Sequence, residues 1–336
     1  MRADSILLAH GSGGTMMREL IEEVFLVGLA DDELARLDDA AVLELPGGAL
    51  AFSTDTYVVD PLFFPGGDIG RLAVCGTVND VCTSGATPLY LSVGFVLEEG
   101  FAIPDLKRVV VSMRDAAIEA GVRIVTGDTK VVERGHGDGL YVNTAGVGVL
   151  PEGVRLSGSL CRPGDEVLLS GTLGDHGIAV ISTREGLSFS TDVRSDAAPL
   201  NGLVAAVRAA APGVRCFRDP TRGGLASTLN ELASASGVSI TVRDEDVPVR
   251  EQVLGACEML GYDVYQVANE GKMVAVVPAD QAAGALAAMR SAPYGEDAAV
   301  IGEVGESPAG KVYVQTGFGA KRIMDMLVGE QLPRIC

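Results

Sequence analysis

Strand-like and helix-like segments alternate through this chain, and the alternation runs twice. ALAFSTDTYVV (49–59) reads as a strand that turns polar at its middle, and DIGRLAVCGTVNDVCTSG (68–85) as a helix closed by Gly85 and Pro88. PLYLSVGFVLE is a strand, DLKRVVVSMRDAAIEAG a helix ended by Gly121, and VRIVTGDTKVV and LYVNTAGVGVL are further strands. The pattern restarts near RLSGSLCRPGDEV (155–167), where Pro163-Gly164-Asp165 is a strong turn signal. EVLLSG, VRCFRD, VSITV and GKMVAVVP then alternate with five helical stretches. Two short strands follow around 299–304 and 311–315, and AKRIMDMLVGE is read as a last short helix. Such alternation gives an α/β protein. At 336 residues there is chain enough for two domains, each with its own core. The expected division is 1–155, 156–328, and a flexible tail over 329–336.

The formal charge of −19 argues against nucleic acid or an anionic membrane as partner. No apolar run reaches the ~18 residues needed to span a bilayer, and the first one, Ile6–Ala9, is too short for a secretory signal. Six scattered cysteines look unlike a disulfide framework, so the cytoplasm is the expected location. An acidic protein that binds a nucleotide needs a cation between the two, and Mg²⁺ held by carboxylates would serve. Only five of the 26 basic residues are lysines. Lysine, unlike arginine, exchanges a proton at working pH, which draws attention to Lys130 and Lys272.

Several acidic patches share one style, an Asp in a turn or at an element end among small residues. They are LDDAAV (Asp38, Asp39), STDTYVVD (Asp55), VNDVCTSG (Asn79, Asp80) and TGDTK (Asp128), with RDPTRGG (Asp219) and ANEGK (Glu270) in the second half. Singly, each is an ordinary turn or cap residue. Together, carboxylates with a carboxamide have the composition of a Mg²⁺–phosphate site. RDPTRGG also puts glycines at the start of a helix, where free N–H groups receive phosphate oxygens. Neither GxxxxGK[ST] nor GxGxxG occurs, so a nucleotide site here belongs to another architecture. HGSGG (10–14) reads equally as a phosphate-binding nest or a flexible start. His136 reads as a solvated loop residue, His176 as a candidate to face the nucleotide, and Cys75 and Cys82 as core.

The chain closes on QLPRIC, with Cys336 as its last residue. Pro333 stops a preceding helix, and eight extended residues span up to ~26 Å, enough to carry a thiol from the surface into a cleft. The α-carboxylate beside the thiol should raise its pKa, with Arg334 partly offsetting this.

LAHGSGG, FSTDTYVVDPLFFPGGDIG, CGTVNDVCTSGATP, VTGDTKVVERG, SGTLGDHG, RDPTRGG, ANEGK and the final PRIC resemble, in order and over essentially the whole chain, the HypE family of hydrogenase maturation factors. These lie within the aminoimidazole ribonucleotide synthetase (PurM-like) superfamily. The resemblance implies a two-domain PurM-like fold, with a mixed-sheet N-terminal domain that dimerises and Mg-ATP held between domains. It implies a carbamoyl group received from the carbamoyltransferase HypF onto Cys336. ATP-dependent dehydration to S-cyanyl follows, and cyanide passes through the HypC–HypD complex to the iron of [NiFe]-hydrogenase. By motif, Asp39, Asp80 and Asp219 resemble metal ligands, and Asp55, Asn79, Gly127, Asp128 and Thr129 nucleotide-contacting residues. Lys130 and Glu270 are the candidates for deprotonating the carbamoyl nitrogen. Lys130 reads equally as a phosphate-neutralising charge, and Glu270 also as a turn residue.

Two rivals stand beside this. One is another PurM-like enzyme. A selenophosphate synthetase would carry a reactive cysteine in its early glycine-rich segment, where this chain has HGSGG, and a thiamine monophosphate kinase would have no use for a terminal thiol. The other is a redox scaffold, which would use Cys336 for mixed disulfides without ATP turnover. Prenylation fails, since the cysteine is last rather than fourth from the end.

Overall fold

The computed structural model describes residues 4–11, 15–32, 35, 45, 47–186, 193–326 and 334–336. Its first half begins with a helical stretch, α1 (Thr15–Leu20), a π-helical turn (Ile21–Leu26) and α2 (Val27–Leu29). Then come β1 (Ala49–Tyr57), the small hairpin β2 (Phe63–Phe64) and β3 (Gly67–Asp68), α3 (Ile69–Thr83), β4 (Thr87–Glu98), α4 (Ile103–Ala120), β5 (Arg123–Val132) and β6 (Leu140–Leu150). Four strands form a mixed sheet in the order β1-β6-β4-β5, with only β4 and β5 parallel. Both helices on this sheet have local causes. The Asp68 side chain caps α3 by accepting from Gly70 N (2.7 Å) and Arg71 N (3.1 Å). Gly121, at φ +69°, ends α4 in a left-handed turn that a Cβ would strain.

The sheet buries one face only. Leu91, Val93, Phe95 and Leu97 of β4 point into a core shared with α3 and α4, and the same core takes in Ile178–Ile181 and Val253 from the second half. On the opposite face Leu50 and Phe52 of β1 stay 58 % and 66 % exposed. For a half-buried sheet, that is an apolar surface without a cover among the described residues.

The second half contains β7 (Asp165–Leu169), α5 (Asp175–Arg184), α6 (Asn201–Ala210), β8 (Cys216–Arg218), α7 (Gly224–Ser236), β9 (Ser239–Arg243), α8 (Glu251–Leu260), β10 (Val274–Pro278), α9 (Ala279–Ser291), β11 (Ala299–Gly305), β12 (Lys311–Gln315) and β13 (Lys321–Ile323). Its seven strands run β13-β12-β9-β11-β7-β10-β8. α6 and α9 pack on one side (Leu203, Val207, Ala285, Met289) and α7 on the other (Leu225, Leu229, Leu232).

The last helix read from AKRIMDMLVGE is corrected over its described part, residues 320–326; residues 327–330 lie outside the described residues. Lys321–Ile323 is instead a strand, antiparallel to β12. Gly319 takes φ +82° and turns the chain back, so the open edge of β12 satisfies backbone groups that a short helix would have left exposed. Met324, 2 % exposed, anchors the return.

Candidate active site

The tail's last three residues lie in the fold, between the end of β1 and the start of α5. The Cys336 carbonyl accepts from Val58 N (3.1 Å), and that of Arg334 from Asp60 N (3.1 Å) and Arg184 Nη2 (2.6 Å). His176 Nε2 donates to the Ile335 carbonyl at 2.8 Å. Ile335 is 5 % exposed and belongs to the apolar core, which fixes which way the neighbouring cysteine points. The Arg334 guanidinium reaches outward to Asp60 (3.5 Å) and Asp138 (3.3 Å).

The Cys336 thiol is half-buried and faces the buried carboxyl of Glu270, whose Oε1 has no hydrogen-bond partner. Burial drives the thiol well above its usual pKa and the nearby Glu270 charge drives it further, while the Arg222 guanidinium opposes both. The cation that offsets is therefore Arg222 of RDPTRGG, not Arg334, which is occupied elsewhere. Glu270 is itself pushed well above the carboxylate range, first by burial and then by Asp219, Asp196 and Asp55.

Loop geometry explains why Glu270 stands there. Its N–H donates to Asp196 Oδ1 (3.0 Å), and Asp196 is held in turn by Lys272 at 3.6 Å. Gly271 lies against the Asp196 carbonyl, where no side chain has room. Asn79, expected to touch nucleotide, is nearly fully buried and spends both amide hydrogens as a brace, on Ala198 O (3.0 Å) and Glu270 O (3.2 Å). Its oxygen accepts from Leu200 N at 2.8 Å.

Asp80, at the far end of α3, accepts from Ser53 Oγ of β1 at 3.0 Å. Burial raises its carboxyl to about 7, with Asp219 the next cause. Asp219 is also raised, by burial first and by Asp55 among its neighbours. Asp55, Asp80, Asp219 and Glu270 thus form one electrostatic cluster with Arg222 at its rim. Asp39 lies outside the described residues. Among the described residues no three carboxylate, His or Cys groups close into a metal-holding set. The oxygen-only composition still suits Mg²⁺, which binds through one or two carboxylates and completes its shell with phosphate and water.

Gly127, Asp128, Thr129 and Lys130 stand apart from this cluster. The register row Asp55–Thr144–Val93–Gly127 faces the helices, whereas Thr56–Asn143–Gly94–Asp128 faces away. Lys130 shares that outward side, exposed, 3.8 Å from Asp128. A single chain therefore does not bring Lys130 to the thiol. Beside these residues a small apolar pocket opens, lined by Met17, Phe25 and Phe95 together with Gly127–Thr129.

Of the histidines, His136 is exposed, and His176 is buried against the tail rather than facing a nucleotide site. His10 is buried with Nε2 unpartnered, and Ser12, Gly13 and Gly14 of HGSGG lie outside the described residues. Cys75 and Cys82 are core, as their spacing predicts. The sequence reading missed Arg222 and the tail-binding role of His176. Both stood in motifs, RDPTRGG and SGTLGDHG, singled out for their Asp and Gly.

Two family models match the chain, AIR synthase related protein, N-terminal domain, over residues 37–150 and AIR synthase related protein, C-terminal domain, over 162–315. A carbamoyl dehydratase HypE from Azotobacter vinelandii is 55% identical over 336 residues, 100% of this chain and 98% of that protein. A crystal structure of hydrogenase maturation protein HypE in complex with ATP superposes with TM-score 0.95 at 50% identity, covering 98% of this chain and 99% of that one. A HypE–HypF complex contains a chain that matches with TM-score 0.81 at 51% identity, covering 92% and 99%.

Proposed function

Because the chain belongs to the carbamoyl dehydratase HypE family of AIR synthase related proteins, we propose that it converts a carbamoyl group on Cys336 to a cyano group with ATP, for hydrogenase maturation. The observation that carries this reading is the terminal thiol seated against a buried carboxyl within a carboxylate cluster.

The chemistry needs those parts. In S-carbamoyl cysteine the carboxamide oxygen is a poor leaving group. Attack of that oxygen on the γ-phosphorus of ATP forms a C–O–P link as the bond to ADP breaks. Cleavage of the C–O bond then releases phosphate, while nitrogen gives up two protons and the C≡N bond forms. One proton balances the phosphate, and the other leaves the protein. Glu270 is our candidate to accept the nitrogen proton in its ionised form, which the Arg222 charge and a bound cation would favour against the burial that raises its pKa; its unpartnered oxygen faces the sulfur. Asp80 and Asp219, with Asp39, would hold Mg²⁺, whose chemistry is to neutralise and orient the phosphates. Arg222 would order the γ-phosphate, and Asp55 would add its charge to the carboxylates on the metal's side of the site.

Lys130 is left its other reading, a charge for phosphate. Asp128 and Lys130 face the side of the sheet opposite Asp55, so two chains are the simplest way for both to reach one nucleotide. The uncovered Leu50 and Phe52 support such a homodimer. HypF is the proposed donor of the carbamoyl group, the HypC–HypD complex the acceptor of cyanide, and the cytoplasm the location. No helix among the described residues is long and apolar enough to cross a membrane.

An isotope experiment tests the dehydration step. Carbamoyl bearing ¹⁸O in its C=O should deliver that label to inorganic phosphate; label appearing in water instead would overturn the phosphorylation route.

A further inference from the structure

We propose that His176, its Nδ1 held by Ser195, is a positioning residue for the tail: through Nε2–H it pins the Ile335 carbonyl and so aims the Cys336 sulfur at Glu270. The inference rests on the carrier reading above.

His176 is fully buried near the start of α5, a start set by Gly174 at φ +81°. Its Nε2 lies 2.8 Å from the Ile335 carbonyl oxygen and its Nδ1 2.8 Å from Ser195 Oγ. A carbonyl only accepts, so Nε2 carries the hydrogen. Burial keeps the imidazole pKa low, and in the neutral ring Nδ1 must then accept from the Ser195 hydroxyl. The Ser195 oxygen in turn accepts from Ala197 N at 3.1 Å. Phe64 meets the ring edge-on, with centroids 5.5 Å apart, and closes off the space into which it would swing.

The remaining tail bonds define what this dock reads. Val58 N, Asp60 N and Arg184 donate to the carbonyls of Cys336 and Arg334, while His176 holds the peptide that joins Ile335 to the cysteine. None of these four bonds uses the sulfur or its substituent. The site therefore reads the tail's backbone carbonyls, with Arg334 in a left-handed turn at φ +51°, and its apolar penultimate side chain.

Alkylation of Cys336 measures docking directly, because the other five cysteines are buried. Iodoacetamide reacts with thiolate, which the dock disfavours, so at fixed pH the rate follows the undocked fraction. The full chain is alkylated and its C-terminal peptide weighed over time. Loss of one neutral hydrogen bond predicts alkylation about 5- to 10-fold faster in His176→Phe. Ser195→Ala, which removes the partner that holds Nδ1, should speed it several-fold. His176→Gln, restoring an N–H at the Nε2 position, should return the rate to about twofold of the parent's. Rates for His176→Phe and Ser195→Ala within about twofold of the parent would overturn the proposal. Should His176→Phe fail to fold, Ser195→Ala decides it alone. The assay needs no dehydration, so failure here leaves the carrier reading intact, and failure of the carrier reading leaves these rates unchanged.

Discussion

Val58 donates its backbone N–H to the carbonyl of Cys336 across 3.1 Å, so the last residue of the chain is tied to the end of the strand that carries Asp55. The cysteine thereby enters an acidic, desolvated environment that keeps its sulfur protonated. A thiol in that state is a weak nucleophile. Docking thus suits a sulfur that already carries its cargo, and loading belongs to the undocked tail, where the thiol ionises more readily.

Replacing Glu270 with Gln keeps the shape beside the sulfur and removes the proton acceptor. Dehydration should fall about 10²- to 10⁴-fold, the range for a positioned general base, while carbamoylation of Cys336 continues. Single-turnover analysis should therefore show the carbamoyl form accumulating. An undiminished rate would remove Glu270 from the chemistry.

Asp80→Asn separates stability from function. The Asp80 carboxyl titrates near 7 in the fold and near ~3.9 in an unfolded chain. The folded state therefore holds a proton that the unfolded state has lost between these values, and stability falls as pH rises through that window. Above it both states are ionised and the penalty is complete; below it both are protonated and the penalty vanishes. The neutral variant should gain up to about 4 kcal/mol at pH 8 and almost nothing at pH 3.5, seen in thermal unfolding without nucleotide. It should also lose most Mg-ATP-dependent turnover. Unchanged stability at pH 8 would contradict the burial argument.

Much of this site was legible in the sequence, for a local reason. Asp68, Asn79, Asp80, Gly121 and Asp219 sit at caps and element ends, where short-range chemistry governs both the residue and its conformation. What sequence could not give depends on non-local contacts. Whether QLPRIC rests inside the fold depends on the Ile335 pocket and on N–H groups from residues 58 and 60, hundreds of positions upstream. The brace role of Asn79 is invisible without the loops at 198 and 270. Lys130 and Glu270 look alike as bases in sequence; strand parity sets Lys130 on the outward side of the sheet and loop geometry sets Glu270 at the thiol, both through non-local contacts. The misread at 321–323 has the same origin, since helix-like spacing lost to an unpaired strand edge.

The exposed face of the first sheet leads to a test of assembly. Phe52→Arg places a charge in the centre of the proposed pairing surface, which should convert a dimer to a monomer in light scattering, with little loss of fold because the side chain is 66 % exposed in one chain. ATP turnover should fall with the dimer. A parent protein that is monomeric would refute the two-chain nucleotide site.

The most direct measurement is the mass of the C-terminal peptide after incubation with HypF, carbamoyl phosphate and ATP. The account predicts a carbamoyl adduct on Cys336 that becomes a cyano adduct only when ATP can be consumed by this protein, and neither adduct in Cys336→Ala. Cyano adduct on another side chain, or conversion after ATP has been removed from the carbamoylated protein, would contradict it.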